Sequence, residues 1–313
     1  MKKLINKILK IIRNPMKIFP ALGSRYMLKW IPDSIYLKLN YRGLMGEKLN
    51  LEHPKKFNEK LQWLKLYNKK PEYTLMVDKY EAKQYVSKII GKKYIIPTIG
   101  VWDRFEDINF NLLPKKFVIK CTHDSGGLVI VKDKNKIDID VIRKKIKKSL
   151  KKNYFWPGRE WVYKNIKPRI IIEEYKTDKD EKCDLTDYKY FCFNGLVDCV
   201  MISIERSTGK PKYYFFDKNW NLLRLNIRGK EAPKDFTLPK PRCIEEMFKI
   251  ASLLSKGIPF LRVDLYESNE RVFFGELTFF PQSGFDNLIT YEAEKRFGHL
   301  ISIPKDNNTG RSM

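Results

Sequence analysis

The segment Leu261–Phe285, LRVDLYESNERVFFGELTFFPQSGF, places the tightest limits on what this chain can fold into. Leu261, Val263 and Leu265 alternate with Arg262, Asp264 and Tyr266, and an apolar run resumes from Arg271 to Phe280. That spacing predicts two short strands joined by a polar hairpin. Asp264 then leaves one strand and Glu276 its neighbour. Two carboxylates facing each other across a hairpin suit a divalent cation when phosphate oxygens complete its shell. Arg262 shares the face of Asp264 and can offset phosphate charge there. The alternative is a surface hairpin with solvated charges. Against it, acids among Phe273, Phe274, Phe279 and Phe280 are costly to leave unpaired.

At 313 residues the chain has room for two compact domains, or for one large domain with additions. Hydrophobic residues make up 43% and aromatic residues 13%, enough for a sizeable core. The net charge of +25, from 62 basic and 37 acidic residues, favours anionic partners: nucleotides, acidic sugars, nucleic acid or membrane lipid. A solvated lysine-rich surface explains the same excess. Five cysteines without a CxxC pair argue against a disulfide framework or a structural zinc site and suggest a reducing cytoplasm. No apolar run approaches the ~20 residues that span a bilayer. The opening MKKLINKILKIIRNP interleaves basic and apolar residues without the pattern of a cleaved signal. Its residues 1–13 suit a helix lying on an anionic membrane surface, or one packed on the protein's own body.

Along the chain, residues 50–94 have helical spacing and include Lys79 in DKYEAK. A strand ending at Lys120 runs into CTHDSGG. Backbone N–H groups around Thr122, Ser125, Gly126 and Gly127 could surround phosphate oxygens, with Lys120 reaching the same charges. A plain glycine hairpin turn reads equally from these residues, and His123 could either assist chemistry or bond locally. Asp138 and Asp140 precede a lysine-rich amphipathic helix. RIIIEEY and YKYFCF read as strands, the second turning at Asn194 and Gly195.

The segments NLEHPKKFNEKLQWLKL, DKYEAKQYV, KKFVIKCTHDSGG, IIIEEY, DYKYFCFNG and RVDLYESNERVFFGELTFFPQSG occur in one order over roughly residues 49–286. Together they resemble the ATP-grasp superfamily, in its branch related to the teichuronopeptide biosynthesis (TupA-like) proteins. The resemblance implies an α+β, ATP-grasp fold: two α+β lobes with ATP between them, preceded by a helical N-terminal region. It divides the chain into a helical region at 1–75, lobes at 76–172 and 173–300, and a tail at 301–313.

By that resemblance Lys79, Lys120, His123, Ser125, Gly126 and Gly127 hold the phosphates of ATP. Glu173, Glu174, Tyr175 and Lys176 form the hinge beside adenine and ribose, and Asp187 sits near the ribose. Lys189 serves the phosphate or acceptor, Arg262 meets the γ-phosphate, and Asp264 and Glu276 bind Mg2+. Thr278 stands where many relatives have a metal-binding Asn, which leaves a second metal position open. Gln282, Ser283 and Gly284 would steady an acyl phosphate, and Arg159 and Arg206 are weaker candidates for an acidic substrate, since either could equally pair with a structural acid.

The implied reaction is ATP-dependent ligation of a carboxylate to an amine, here a sugar acid of a capsular or teichuronic-type cell-surface polysaccharide and an amino acid or amine. A cytoplasmic protein, peripheral on the inner face of the membrane, fits such an acceptor. Two rivals differ in class. A glycosyltransferase would use Asp138 and Asp140 as a DxD metal site, and a nucleic-acid binder would use the basic charge, although no reading module supports it.

Overall fold

The computed structural model describes residues 15–124, 126–177, 185–205 and 211–303. Two antiparallel sheets organise them. The first holds β1 (Thr98–Trp102), β2 (Phe117–Cys121), β3 (Leu128–Val131) and β4 (Ile170–Glu174), in the order β1-β4-β2-β3. Its apolar face is closed by the helix Ile139–Leu150, whose Ile142 and Ile146 pack with Phe117, Ile119, Ile170 and Ile172. Asp138 starts that helix by accepting the N–H groups of Asp140 at 2.9 Å and Val141 at 3.1 Å.

The second sheet holds β5 (Asp187–Phe193), β6 (Leu196–Ile204), β7 (Lys212–Phe216), β8 (Leu222–Leu223), β9 (Leu261–Ser268) and β10 (Arg271–Thr278). Its order is β10-β9-β5-β6-β7-β8. Both expected hairpins are present. Asn194 and Gly195 join β5 to β6, and Asn269 and Glu270 join β9 to β10, each residue with positive φ as two-residue turns between twisted strands require. The core beneath is aromatic: the ring of Phe57 lies 5.0 Å from Phe260 and 5.3 Å from Phe297.

Residues 76–90, assigned by sequence to the first lobe, contribute to this second core. Met76, Val77, Ala82 and Val86 pack in one cluster with β5, β6 and β9, because their apolar faces cover the larger sheet. A third cluster joins the helices Ile18–Gly23 and Asp33–Met45 around Leu28, Tyr36, Leu37 and Tyr41. The expected helix at 1–13 lies outside the described residues. The expected tail at 301–313 begins inside the fold, since Ile301 is buried, and only residues 301–303 of it are described. Among the described residues, no helix is long and apolar enough to cross a membrane.

Candidate active site

Pairing of β2 with β4 sets Val118 opposite Glu173, and the Glu173 carboxylate lies between two lysines. Lys120 pairs with it at 2.5 Å, and Lys83 pairs with its other oxygen. Lys83 also donates to the Ile96 carbonyl at 2.7 Å and the Thr98 hydroxyl at 3.0 Å. Burial alone would raise the Glu173 carboxyl, but the charges of Lys120 and Lys83 hold it below the usual carboxylate range. Beside it, Glu174, Tyr175 and Lys176 line a cavity of about 300 Å³ whose apolar walls include Val118, Leu128 and Ile130. Glu174 and Lys176 form an ion pair at 2.7 Å.

The glycine loop is braced from behind. The Asp124 carboxylate accepts the Gly127 N–H at 3.0 Å and the Ser149 hydroxyl, while its backbone carbonyl accepts Lys79 Nζ. A Cβ on Gly127 would lie 2.7 Å from both Cys121 Sγ and Ser149 Oγ, so only glycine fits that approach. Gly126 is exposed at the loop tip, and Ser125 lies outside the described residues. His123, expected at the phosphates, faces the other way. It is buried, with Nε2 donating to the carbonyls of Ser149 (3.3 Å) and Lys152 (3.1 Å) at the end of the helix Ile139–Leu150. Helix-terminal carbonyls lack intrahelical partners, and they claim the imidazole.

The second sheet supplies the opposite wall. Register sets Lys189 and Glu276 on either side of Asp264, and Thr278 beside Arg262. Arg262 grips Asp264 with two bonds of 2.7 Å and reaches Glu276 at 3.1 Å and the Thr278 hydroxyl at 3.0 Å. Lys189 bridges Asp187 and Asp264, each at 2.5 Å. Burial alone would raise Asp264, but Arg262 and Lys189 hold it low. Burial likewise opposes the charge on Arg262, yet its acids drive its pKa up. A register shift between Phe274 and Glu276 re-aims the latter. The residue between them, Gly275, leaves no room for a side chain: its Cβ would stand 2.8 Å from the Tyr266 ring and 2.9 Å from the Asp264 carbonyl.

These groups meet at a second cavity of about 170 Å³, lined by Lys79, Lys120, Asp187, Lys189, Tyr266 and Glu276. It shares Lys120, Leu128, Glu173 and Tyr266 with the first, so one cleft runs between the sheets. A broader hollow of about 880 Å³ lies elsewhere, between Ile89, Leu196 and Leu253. Its Lys218 pairs with Glu245 at 3.2 Å, so it offers no comparable surplus of charge.

The donor set fits magnesium in kind: the Glu276 carboxylate at a phosphate-sized cavity with that of Asp264 behind it, and the remaining ligands left to phosphate and water. Among the described residues no larger group of His, Cys, Asp or Glu gathers around one point. Glu276 is 39% exposed and pairs with Arg262 through Oε1, which leaves it accessible to a cation from the cleft. Both oxygens of Asp264 are committed to Arg262 and Lys189. Thr278, considered for a second metal, accepts Arg262 and orients the guanidinium.

Ser283 and Gly284 line neither cavity. Gln282, Ser283 and Gly284 all adopt left-handed backbone, a strained run after β10 that its neighbours hold in place. Lys65, 1% exposed, donates to the carbonyls of Ser283 (2.6 Å) and Gly158 (2.7 Å), and the Ser283 hydroxyl donates to buried Glu160 at 2.5 Å. Burial lowers Lys65 to about 7 despite the charge of Glu160, and raises Glu160 itself. Sequence reading passed over Lys83, Lys65 and Glu160. Lys65 follows Leu61 by four residues and so sits on the helix's buried face, a visible signal, whereas nothing in the spacing marks Glu160.

Three other expectations end differently. Asp138 caps its helix and Asp140 pairs with Arg143, so both are structural and the glycosyltransferase metal site is absent there. Arg159 is buried, stacks on Tyr36 and Trp156, and bonds the carbonyls of Leu28 and Ile31, which makes it a brace for the N-terminal helices. Arg206 lies outside the described residues.

Among solved structures, the chain is similar to D-alanine–D-alanine ligase from Bacillus anthracis complexed with ATP: 17% identity, TM-score 0.36, covering 65% of this chain and 53% of that one. It thus spans about half of that ligase. It is also similar to the ATP-grasp ligase PsnB complexed with a phosphomimetic variant of its minimal precursor, Mg and ADP, at 10% identity and TM-score 0.42, covering 89% and 70%. D-alanine–D-alanine ligase from Helicobacter pylori follows at 14% and 0.39, covering 80% and 70%. No curated protein matches the chain. A family model described as TupA-like ATP-grasp matches residues 59–302, which include both sheets and every cleft residue named above, and the chain belongs to that family.

Proposed function

We propose that this protein is an ATP-dependent ligase that joins a carboxylate to an amine through an acyl phosphate. One observation carries the reading: Lys79, Lys120 and Lys189 meet Glu276 at a single cleft, with Arg262 and Asp264 directly behind. Adenine would occupy the cavity with apolar walls, beside the Glu174–Lys176 backbone. Lys79, Lys120 and the braced glycine loop would then hold the phosphates. Magnesium, carried by Glu276 and Asp264, would supply neutralisation of phosphate charge. Arg262 is poised to exchange Asp264 for the γ-phosphate, and its bond to Thr278 keeps it aimed.

A carboxylate oxygen of the substrate attacks the γ-phosphorus, and the bond to ADP breaks. The amine nitrogen then attacks the acyl carbon, phosphate leaves with the C–O electron pair, and the amine proton passes to water. Positioning and charge neutralisation do this work, so the site needs cations rather than a nucleophilic triad. Ser283 and Gly284, fixed by Lys65 and Glu160, would steady the acyl phosphate. The acceptor we assign is a sugar acid of a cell-surface polysaccharide, joined to an amino acid or amine. The branch of the family and the +25 charge support that assignment.

Calorimetric titration with ATP and magnesium, set against UDP-sugars with magnesium or manganese, tests the reading. Saturable ATP binding is expected, followed by ADP release when sugar acids and amines are supplied together. Binding of a UDP-sugar alone would overturn it.

A further inference from the structure

The helical unit at residues 15–49 lies wholly outside the family match, and its outer surface has no part in the cleft. Buried Arg159 holds the carbonyls of Leu28 and Ile31 and pairs with Asp33 at 3.2 Å. That brace fixes the turn between the first two helices with Leu28 and Ile31 packed inward and Met27 and Trp30 outward, beside Ile35 on the following helix. Trp30 is 80% exposed, Met27 59% and Ile35 50%. Lys17, Arg25, Lys29, Lys38 and Arg42 are exposed around them, and Asp33, held by Arg159, is the single acid between residues 15 and 45. Lys38 and Arg42 follow Ile35 at helical spacing, on the same face.

We propose that this surface docks the protein on an anionic lipid bilayer. A water-exposed tryptophan on a braced turn gains by entering the headgroup region, where an indole has both an apolar body and a polar partner. The surrounding lysines and arginines add attraction for anionic headgroups, and the near absence of acids removes the opposing charge. A protein groove would cover the apolar side chains but has no need of five exposed cations with a single acid among them. The helical unit would then set the cleft at a fixed height from the membrane, where a lipid-linked acid could reach it.

Co-sedimentation of the full chain with vesicles of phosphatidylglycerol and phosphatidylcholine, against phosphatidylcholine alone, provides the test. Binding to the anionic vesicles only is expected. The Met27→Ala/Trp30→Ala and Lys38→Glu/Arg42→Glu variants should each lower the bound fraction at least about fivefold. Circular dichroism should show both folded, since every altered side chain is exposed. Lys144→Glu/Lys148→Glu removes the same charge from exposed positions of the helix Ile139–Leu150 and should leave binding within about twofold. Three results would overturn the proposal: no anionic-vesicle binding, equal loss in the Lys144/Lys148 control, or sedimentation velocity showing self-association that the Trp30 variant abolishes. The last would assign the surface to a second copy of the chain.

Discussion

The two walls of the cleft are built alike and charged oppositely. At the four-stranded sheet, Glu173 lies between Lys120 of β2 and Lys83 of the helix Glu81–Ile90, so within that group of ion pairs cations exceed acids two to one. On the six-stranded sheet, Asp187, Asp264 and Glu276 surround Lys189 and Arg262, and acids exceed cations three to two. The first surplus suits phosphate and the second suits a divalent cation bound with it. Each wall satisfies its own buried charges before any ligand arrives, and ion pairs of this kind tolerate loss of a partner poorly. Binding then becomes an exchange of partners rather than the burial of bare charge.

Glu173→Gln upsets the charge balance of the first wall. It strips both lysines of the carboxylate they share, and urea unfolding should show a loss of about 3–5 kcal/mol. A loss below 1 kcal/mol would mean that Lys83 releases its proton instead, since burial already lowers its pKa.

Asp264→Asn should cost less, about 2 kcal/mol, because Asp187 and Glu276 still offset the cations. Its pH profile sharpens the point. Asp264 and Glu173 both have folded pKa values below the ordinary carboxylate range, so their stabilisation is full above that range and is lost as pH falls through the folded values. Urea midpoints between about pH 6 and about pH 2 should therefore fall less steeply in Asp264→Asn than in the unaltered chain.

Glu276→Gln separates metal binding from folding. Its exposure predicts an unchanged urea midpoint, while affinity for ATP in magnesium should fall about tenfold, near 1.4 kcal/mol, by calorimetry. Equal affinity would move the metal role to Asp264 alone. The smallest effect belongs to Asp138→Ala, which removes a helix cap: about 1 kcal/mol of stability by thermal unfolding, with ATP affinity unaltered. A selective loss of UDP-sugar binding in that variant would restore the glycosyltransferase reading.

Much of this was legible in residue order. The alternation in LRVDLYES and the turn residues Asn194 and Gly195 locate strands correctly because strand pitch and turn handedness are local properties. Lys120, Glu173, Asp187, Lys189 and Glu276 do line one cleft, and their positions at or near strand ends made them readable as candidates. His123 misled, since nothing local shows that a loop folds its imidazole back onto a helix end. For Arg159 the sequence left two readings open, an acidic substrate or a structural acid, and the pair with Asp33 decides for the second.

Residue order alone set the hairpins at Asn194–Gly195 and at Asn269–Glu270, the glycine positions, the family and the inventory of charges, because each depends on short-range spacing or on order along the chain. Only the tertiary structure decided which charges are spent on one another. Lys83 and Glu173 are 90 residues apart, Lys65 and Ser283 more than 200, and a buried ion must take its counter-charge from whatever the packed chain brings within a few ångströms. That choice separates Lys83 from Lys79 and Glu160 from Glu276, pairs of like residues whose roles no local pattern distinguishes.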